Sequence, residues 1–259
     1  MNRTVCILRL SAVCLRLTRT SNIERPTSNV EWEKMKKRIG IVTIGQSPRS
    51  DVVPEIQAHL GDHVEVLEHG ALDGLSQAEV KNYAPEPGML PLVTRMQDGT
   101  EVIVAKEKLL LRLNDVVAAL DDKGVDMILL LCNGDFPVFD TRCLVIEPQR
   151  LVDGCVAGLL RERHRLGVLV PVPEQEIWVR RRLEVVNPNL TVAVASPYEG
   201  QKPLEAACQR FRDDACDVIV LYCMGFNRQL GERVRTLCDT PVIVSATIVA
   251  RILGELLEV

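Results

Sequence analysis

Asp126-Met127-Ile128-Leu129-Leu130-Leu131-Cys132-Asn133-Gly134 and Asp217-Val218-Ile219-Val220-Leu221-Tyr222-Cys223-Met224-Gly225 share one plan: an aspartate, an apolar run, a cysteine six residues after the aspartate, and a glycine two residues later. An apolar run of this length ending in turn residues is what a parallel strand shows when both of its faces are covered. The two stretches therefore predict equivalent central strands of two similar units.

The flanking sequence repeats as well. Before the first stretch come a strand at Ile39 to Ile44, the loop Gly45-Gln46-Ser47-Pro48-Arg49, a helix starting near Asp51 with Pro54 in its first turn, a strand at Val64 to Leu67, and a helix at Leu109 to Leu120 stopped by Gly124. After it come a short strand at Leu144 to Ile146 and a helix at Gln149 to Arg161. The second unit reads strand Gly167 to Val170, helix Glu174 to Val185, strand Leu190 to Ala195, helix Leu204 to Arg212, the strand ending at Cys223, strand Val242 to Val244 and helix Ile248 to Leu257. Strands alternating with helical patterns predict crossover connections, so the expected class is α/β: two βαβαβ-type halves, 38–165 and 166–259, whose parallel sheets face across a central cleft. Only the first half carries an insertion, 76–106. It opens on the capping-box pattern Ser76-x-x-Glu79 and holds an Asp98-Gly99 turn between two short strands, which predicts a hairpin.

Composition narrows the partners. The chain has 259 residues, 47% of them hydrophobic, and a net charge of −4 with no long basic run, which argues for a globular protein and against nucleic acid as a partner. No apolar run approaches the ~20 residues of a membrane span. Nine cysteines without a C-x-x-C pair suggest reduced thiols in a cytoplasmic protein. The helix break at Gly61-Asp62 separates His59 from His63, so no metal site is expected, and no nucleotide-binding glycine motif or other cofactor signature occurs. The expected partner is a small anionic molecule rather than nucleic acid or a membrane; a homodimer is left open. Residues 1–37 read as an extension that is disordered or not native. Arg3, Arg9, Arg16 and Arg19 precede the first acid, Glu24, a composition a transit peptide would have, while Trp32-Glu33-Lys34 before Met35 require purine-rich codons of the kind found ahead of a bacterial start, as if Met35 were the first residue.

In open α/β sheets ligands bind beyond the carboxyl ends of the strands, and that is where Cys132 and Cys223 fall. Two halves facing each other would bring the cysteines to opposite sides of one cleft. Moving a proton from one face of a carbon to the other needs two acid/base groups, one per face. A thiol near a helix N-terminus can fall from about 8.5 toward neutrality, so a thiolate and a thiol can coexist. Buried structural cysteine is the competing reading. Cys6, Cys14, Cys143, Cys155, Cys208, Cys216 and Cys238 lack the matched placement and are assigned to packing or surface.

Cys132-Asn133-Gly134 resembles the Cys-Asn-Thr loop of aspartate/glutamate/hydantoin racemases, and Cys223-Met224-Gly225 stands where those proteins carry a Gly-Cys-Thr loop. Thr43-Ile44-Gly45, Tyr83-Ala84-Pro85-Glu86, Val170-Pro171-Val172 and Cys223-Met224-Gly225-Phe226 are similar, more narrowly, to the AroM family of that superfamily. The resemblance spans about residues 38 to 257 and implies the racemase-like α/β fold, with Cys132 and Cys223 as acid and base. Gln46, Ser47, Arg49, Asn133, Gly134, Met224, Gly225 and Phe226 become candidate substrate contacts. The sequence departs from the racemases in lacking the hydroxyl residue after each cysteine and the Asp-Ser-Gly loop after the first strand.

Backbone N–H groups at Asn133-Gly134 and Gly225-Phe226 could cradle an anion, with Arg49 pairing it or lying in solvent. Tyr198 and Glu199 are further candidates, although Pro197-Tyr198-Glu199-Gly200 is also an ordinary turn sequence, and Arg180-Arg181-Arg182 reads as a solvated helix face. Three functions are open on these residues. One is a cofactor-independent racemase, epimerase or isomerase of a small carboxylate or carbonyl compound. The others are a decarboxylase or isomerase using one cysteine, and a ligand-binding or regulatory protein without turnover.

Overall fold

The computed structural model describes residues 36–198 and 200–257. The segment 1–35, with Cys6 and Cys14, and the candidate Glu199 lie outside the described residues. The first half runs β1 (Lys37–Thr43), α1 (Val53–Leu60), β2 (Val64–Gly70), α2 (Gln77–Val80), β3 (Pro91–Arg95), β4 (Glu101–Ala105), α3 (Lys106–Asp122), β5 (Met127–Leu130), β6 (Leu144–Ile146) and α4 (Pro148–Leu159). The second runs β7 (Leu166–Val170), α5 (Glu176–Leu183), β8 (Leu190–Val194), α6 (Gln201–Asp213), β9 (Val218–Leu221), α7 (Arg228–Cys238), β10 (Val242–Val244) and α8 (Ser245–Leu257). Two four-stranded parallel sheets result, β2-β1-β5-β6 and β8-β7-β9-β10, with β3 and β4 pairing antiparallel as a separate hairpin.

Each sheet thus places its strands in the same order, and the duplication extends to single bonds. Asp126 accepts the backbone N–H of Arg38 at 2.8 Å, and Asp217 accepts that of Arg165 at 2.7 Å. Both arginines return a guanidinium bond to the carbonyl three residues before the aspartate, Lys123 or Asp214. Two residues beyond each arginine stands a glycine at a helix crossing. A Cβ on Gly40 would lie 2.8 Å from Leu120 of α3, and one on Gly167 would lie 2.9 Å from Phe211 of α6.

Strand period two explains the layers. In β5 and the residue after it, Met127, Leu129 and Leu131 face one core while Ile128 and Leu130 face another, under Leu109, Leu113, Val117 and Leu120 of α3. In β9 and its extension, Val220 and Tyr222 join that first core, and Ile219 and Leu221 pack beneath α6. The first core is therefore common to both sheets. It also takes in Val249, Ala250 and Leu253 of α8, which packs on α1 and α4 of the other half.

Three expectations need correction. β1 already begins at Lys37, inside the segment read as an extension. The region Glu174 to Val185 is a 3-10 turn at Pro173–Gln175 followed by a shorter helix, α5. No helix was expected between the Cys223 loop and β10, yet α7 occupies Arg228–Cys238, capped by the Asn227 side chain on the Leu230 N–H at 3.0 Å. Its Gly231 weakens the helical signal but is needed for packing, because a Cβ there would meet Val244 at 2.4 Å. The hairpin and the capping box at Ser76 form as expected, with Gly99 at φ +89° in the turn.

Candidate functional site

β5 and β9 end just before their cysteines, and Cys132 and Cys223 line one cavity of about 380 Å³. In each loop the chain turns so that the glycine two residues on approaches the sulfur. The Gly225 N–H donates to Cys223 Sγ at 3.4 Å, and the Gly134 N–H does the same service for Cys132.

Burial acts against ionisation. It pushes the Cys132 thiol up to about 12, with the neighbouring charge of Cys223 adding to the rise and the Gly134 N–H and Arg49 opposing it. Cys223 is raised for the same first reason, again opposed by its glycine N–H and by Arg49. The sequence-based expectation of thiols lowered toward neutrality is not met. No helix follows Cys132 until α4 at Pro148, and α7 begins only at Arg228, so neither sulfur sits directly on a helix N-terminus.

Arg49 is not solvated. It is 4% exposed, forms a two-pronged ion pair with Asp51 at 2.8 Å, and donates to Thr43 Oγ1 at 3.1 Å and the Tyr198 hydroxyl at 2.8 Å. Burial alone would pull the guanidinium down, but the bond to Asp51 and the field of nearby groups hold it above its ordinary value. Burial would lift the Asp51 carboxyl; Arg49 holds it below the usual range. Arg49 thus supplies a fixed positive charge behind both cysteines and ties the first half to the loop after β8.

Of the other candidates, Asn133 and Gly134 line the cavity with the cysteines. Asn133 Nδ2 donates to Ser245 Oγ at 2.9 Å, while its Oδ1 is buried without a partner. Gln46 is consumed locally: its Nε2 donates to the Leu72 and Leu75 carbonyls at 3.1 and 2.8 Å, and its Oε1 accepts the Gln97 N–H. Ser47 Oγ donates to Asp73 at 2.7 Å. Met224 and Phe226 are buried in two different cores, and the Phe226 N–H is taken by the Cys223 carbonyl at 3.2 Å. None of Gln46, Ser47, Arg49, Met224, Gly225 and Phe226 lines the cavity.

The glycines two residues after each cysteine are closely packed. A Cβ on Gly134 would lie 2.7 Å from the Phe136 ring, and one on Gly225 would lie 2.6 Å from the Tyr198 hydroxyl. Phe136 and Tyr198 fill the space that a side chain at either position would need.

Several lining residues were not singled out by sequence reasoning. Leu92 and Val93 of the hairpin form a wall, held to the second half by Gln175 Nε2 on the Pro91 carbonyl at 3.0 Å, by Ser196 Oγ on Glu101, and by Arg95 over the Tyr198 ring at 5.5 Å. Tyr222, beside Cys223, lines the cavity and donates to Asp153 at 2.6 Å, and Asp153 also pairs with Arg182. Arg181 and Arg182 are exposed, as a solvated helix face would be, and they also line the cavity. Gln149 also lines it, and only its polar character at a buried helix start could have signalled this.

Two parallel sheets of matched order, with a cysteine beyond equivalent strands, define a protein of the aspartate/glutamate racemase fold. The solved structures it resembles include glutamate racemase from Francisella tularensis subsp. tularensis SCHU S4 in complex with D-glutamate (13% identity, 86% of this chain and 81% of that chain, TM-score 0.56). Allantoin racemase from Klebsiella pneumoniae (16%, 85% and 87%, TM-score 0.53) and the maleate isomerase Iso from Pseudomonas putida S16 (15%, 86% and 93%, TM-score 0.54) are similar to it to the same degree. Identities this low speak for the fold alone. No curated protein matches the chain in sequence. The family described as AroM protein matches residues 39–257, and the chain belongs to the AroM family.

Proposed function

We propose that this protein is a cofactor-independent isomerase of the racemase or epimerase type, acting on a small carboxylate in the cavity between the two cysteines. The observation that carries the reading is the pair itself: two thiols from equivalent strand ends, each facing a glycine N–H, lining one cavity. One cysteine, as thiolate, takes the proton from the substrate carbon and becomes a thiol; the other, as thiol, returns a proton to the opposite face and becomes the thiolate. A base buried to a pKa of about 12 is sparsely ionised at neutral pH but strong when formed, so turnover should rise with pH well above neutrality.

The test is a panel of enantiopure 2-substituted carboxylates incubated in deuterium oxide. Deuterium entering at the 2-position together with loss of optical activity is the expected outcome. Binding without exchange across the panel would instead support a ligand-binding protein, the reading favoured by the upward push on both thiols. Loss of activity in only one of the two cysteine variants would point to one-cysteine chemistry.

A further inference from the structure

We infer that the cavity is built for an amphiphilic monocarboxylate, its oxyanion seated on Gln149 at the N-terminus of α4 and its apolar body lying against Leu92, Val93 and Trp178. The inference deepens the isomerase reading and rests on the same site.

Gln149 is 3% exposed and lines the cavity, yet its side-chain amide has no hydrogen-bond partner among the described residues. The amide is not among the fully buried unpartnered groups, so it reaches accessible surface where the residue lines the cavity and is free to donate to a ligand oxygen. The backbone at the same point is also short of acceptors. Gln149 is the second residue of α4, Pro148 before it has no N–H, and Glu147 provides no side-chain cap. A helix start with an open N–H and half a positive charge favours an anion.

The surrounding charges agree. Lys106, Arg181 and Arg182 line the cavity against two carboxylates, Glu107 and Asp135. Glu107 is engaged by the Leu90 N–H at 3.2 Å, Lys106 by the Asp135 carbonyl at 2.9 Å and Arg182 by Asp153, whereas Arg181 has no partner among the described residues.

Part of the lining is apolar. Leu92 and Val93 come from the hairpin and Trp178, 43% exposed, from α5. A second charged end lying on Leu92 or Val93 would lose hydration to side chains that offer it no hydrogen bond. The volume of about 380 Å³ equals that of roughly a dozen waters at about 30 Å³ each, enough for a carboxylate with a short hydrocarbon body.

Isothermal titration of the full chain with hexanoate, hexanedioate and propanoate tests this. Hexanoate should bind at least tenfold more tightly than either of the others. Gln149→Met, which keeps the shape and removes the amide, should weaken hexanoate about tenfold while leaving the melting temperature unchanged or higher; a purely structural glutamine would lower it. Trp178→Ala should weaken hexanoate several-fold and leave propanoate unaltered. Equal or tighter binding of hexanedioate, undiminished binding by Gln149→Met, or no binding of any of the three overturns the inference. The expected binding pattern with no proton exchange on any carboxylate would sink the isomerase reading and leave this site standing; exchange on a substrate that ignores Gln149 would do the reverse.

Discussion

Arg49 shows what a single side chain does here. Its bonds to Asp51, Thr43 and Tyr198 place one buried cation where it acts on both sulfurs and joins the two halves. Arg49→Met leaves Asp51 partly buried without a counter-charge, a loss of about 3–5 kcal/mol. Urea titration should show it, and a midpoint equal to that of the wild type would remove Arg49 from this role. The thiols themselves can be followed by alkylation. Because only the thiolate reacts, iodoacetamide labelling of Cys132 should accelerate about tenfold per pH unit between pH 8 and 10 without levelling off, since the thiol is held near 12. A plateau in that range, read by mass spectrometry, would show a far more acidic sulfur than burial permits.

At the scale of elements, the parts visible in the sequence were those with a local signal. The all-apolar runs marked β5 and β9, Ser76 and Glu79 marked a helix start, and Asp98-Gly99 marked the hairpin turn. α7 escaped because Gly231 interrupts it and its first-half counterpart, 135–143, has no helix to suggest it. Gly231→Ala should cost about 1–3 kcal/mol by driving a methyl into Val244, lowering the melting temperature by roughly 2–4 °C per kcal/mol. An unchanged melting temperature would mean that α7 and β10 are not packed as described. The hairpin was legible but its use was not. Periodicity tells which face of a strand is buried, not what covers it, so nothing in Leu92 or Val93 announced a cavity wall. For the same reason Gln46, Ser47, Met224 and Phe226 looked like site residues by proximity in sequence, although their side chains hold loops or fill cores.

Across the whole molecule, the halves are joined by a common core and by reciprocal polar ties. Glu55 of α1 accepts from Thr247 of α8 at 2.8 Å and from the Arg228 N–H at 2.9 Å, while Asp153 of α4 accepts from Tyr222. The fold keeps several thiols protonated: burial pushes Cys132 and Cys208 up to about 12 and Cys216 up to about 11, and raises Cys223 and Cys238. These groups contribute stability that is fully present below the ordinary thiol value near 9 and is lost as pH rises through 11 to 12, because the unfolded chain releases those protons first. The urea midpoint should therefore fall steadily from pH 8.5 to pH 10.5, and a flat profile would show the thiols to be less buried than the cores require. The duplicated plan was legible in the spacing of Asp126 to Cys132 and Asp217 to Cys223. Its deeper expression, the matched Arg38–Asp126 and Arg165–Asp217 bonds, needed the fold to bring together residues far apart in the chain.

The most direct measurement is the rate of solvent-deuterium exchange and racemization from each enantiomer of a turned-over carboxylate, compared among the wild type, Cys132→Ser and Cys223→Ser at matched circular dichroism. Two opposed thiols require that each single variant lose racemization by about 10²–10⁴-fold, the usual contribution of a positioned acid or base. Full racemization by either variant would contradict the two-cysteine mechanism.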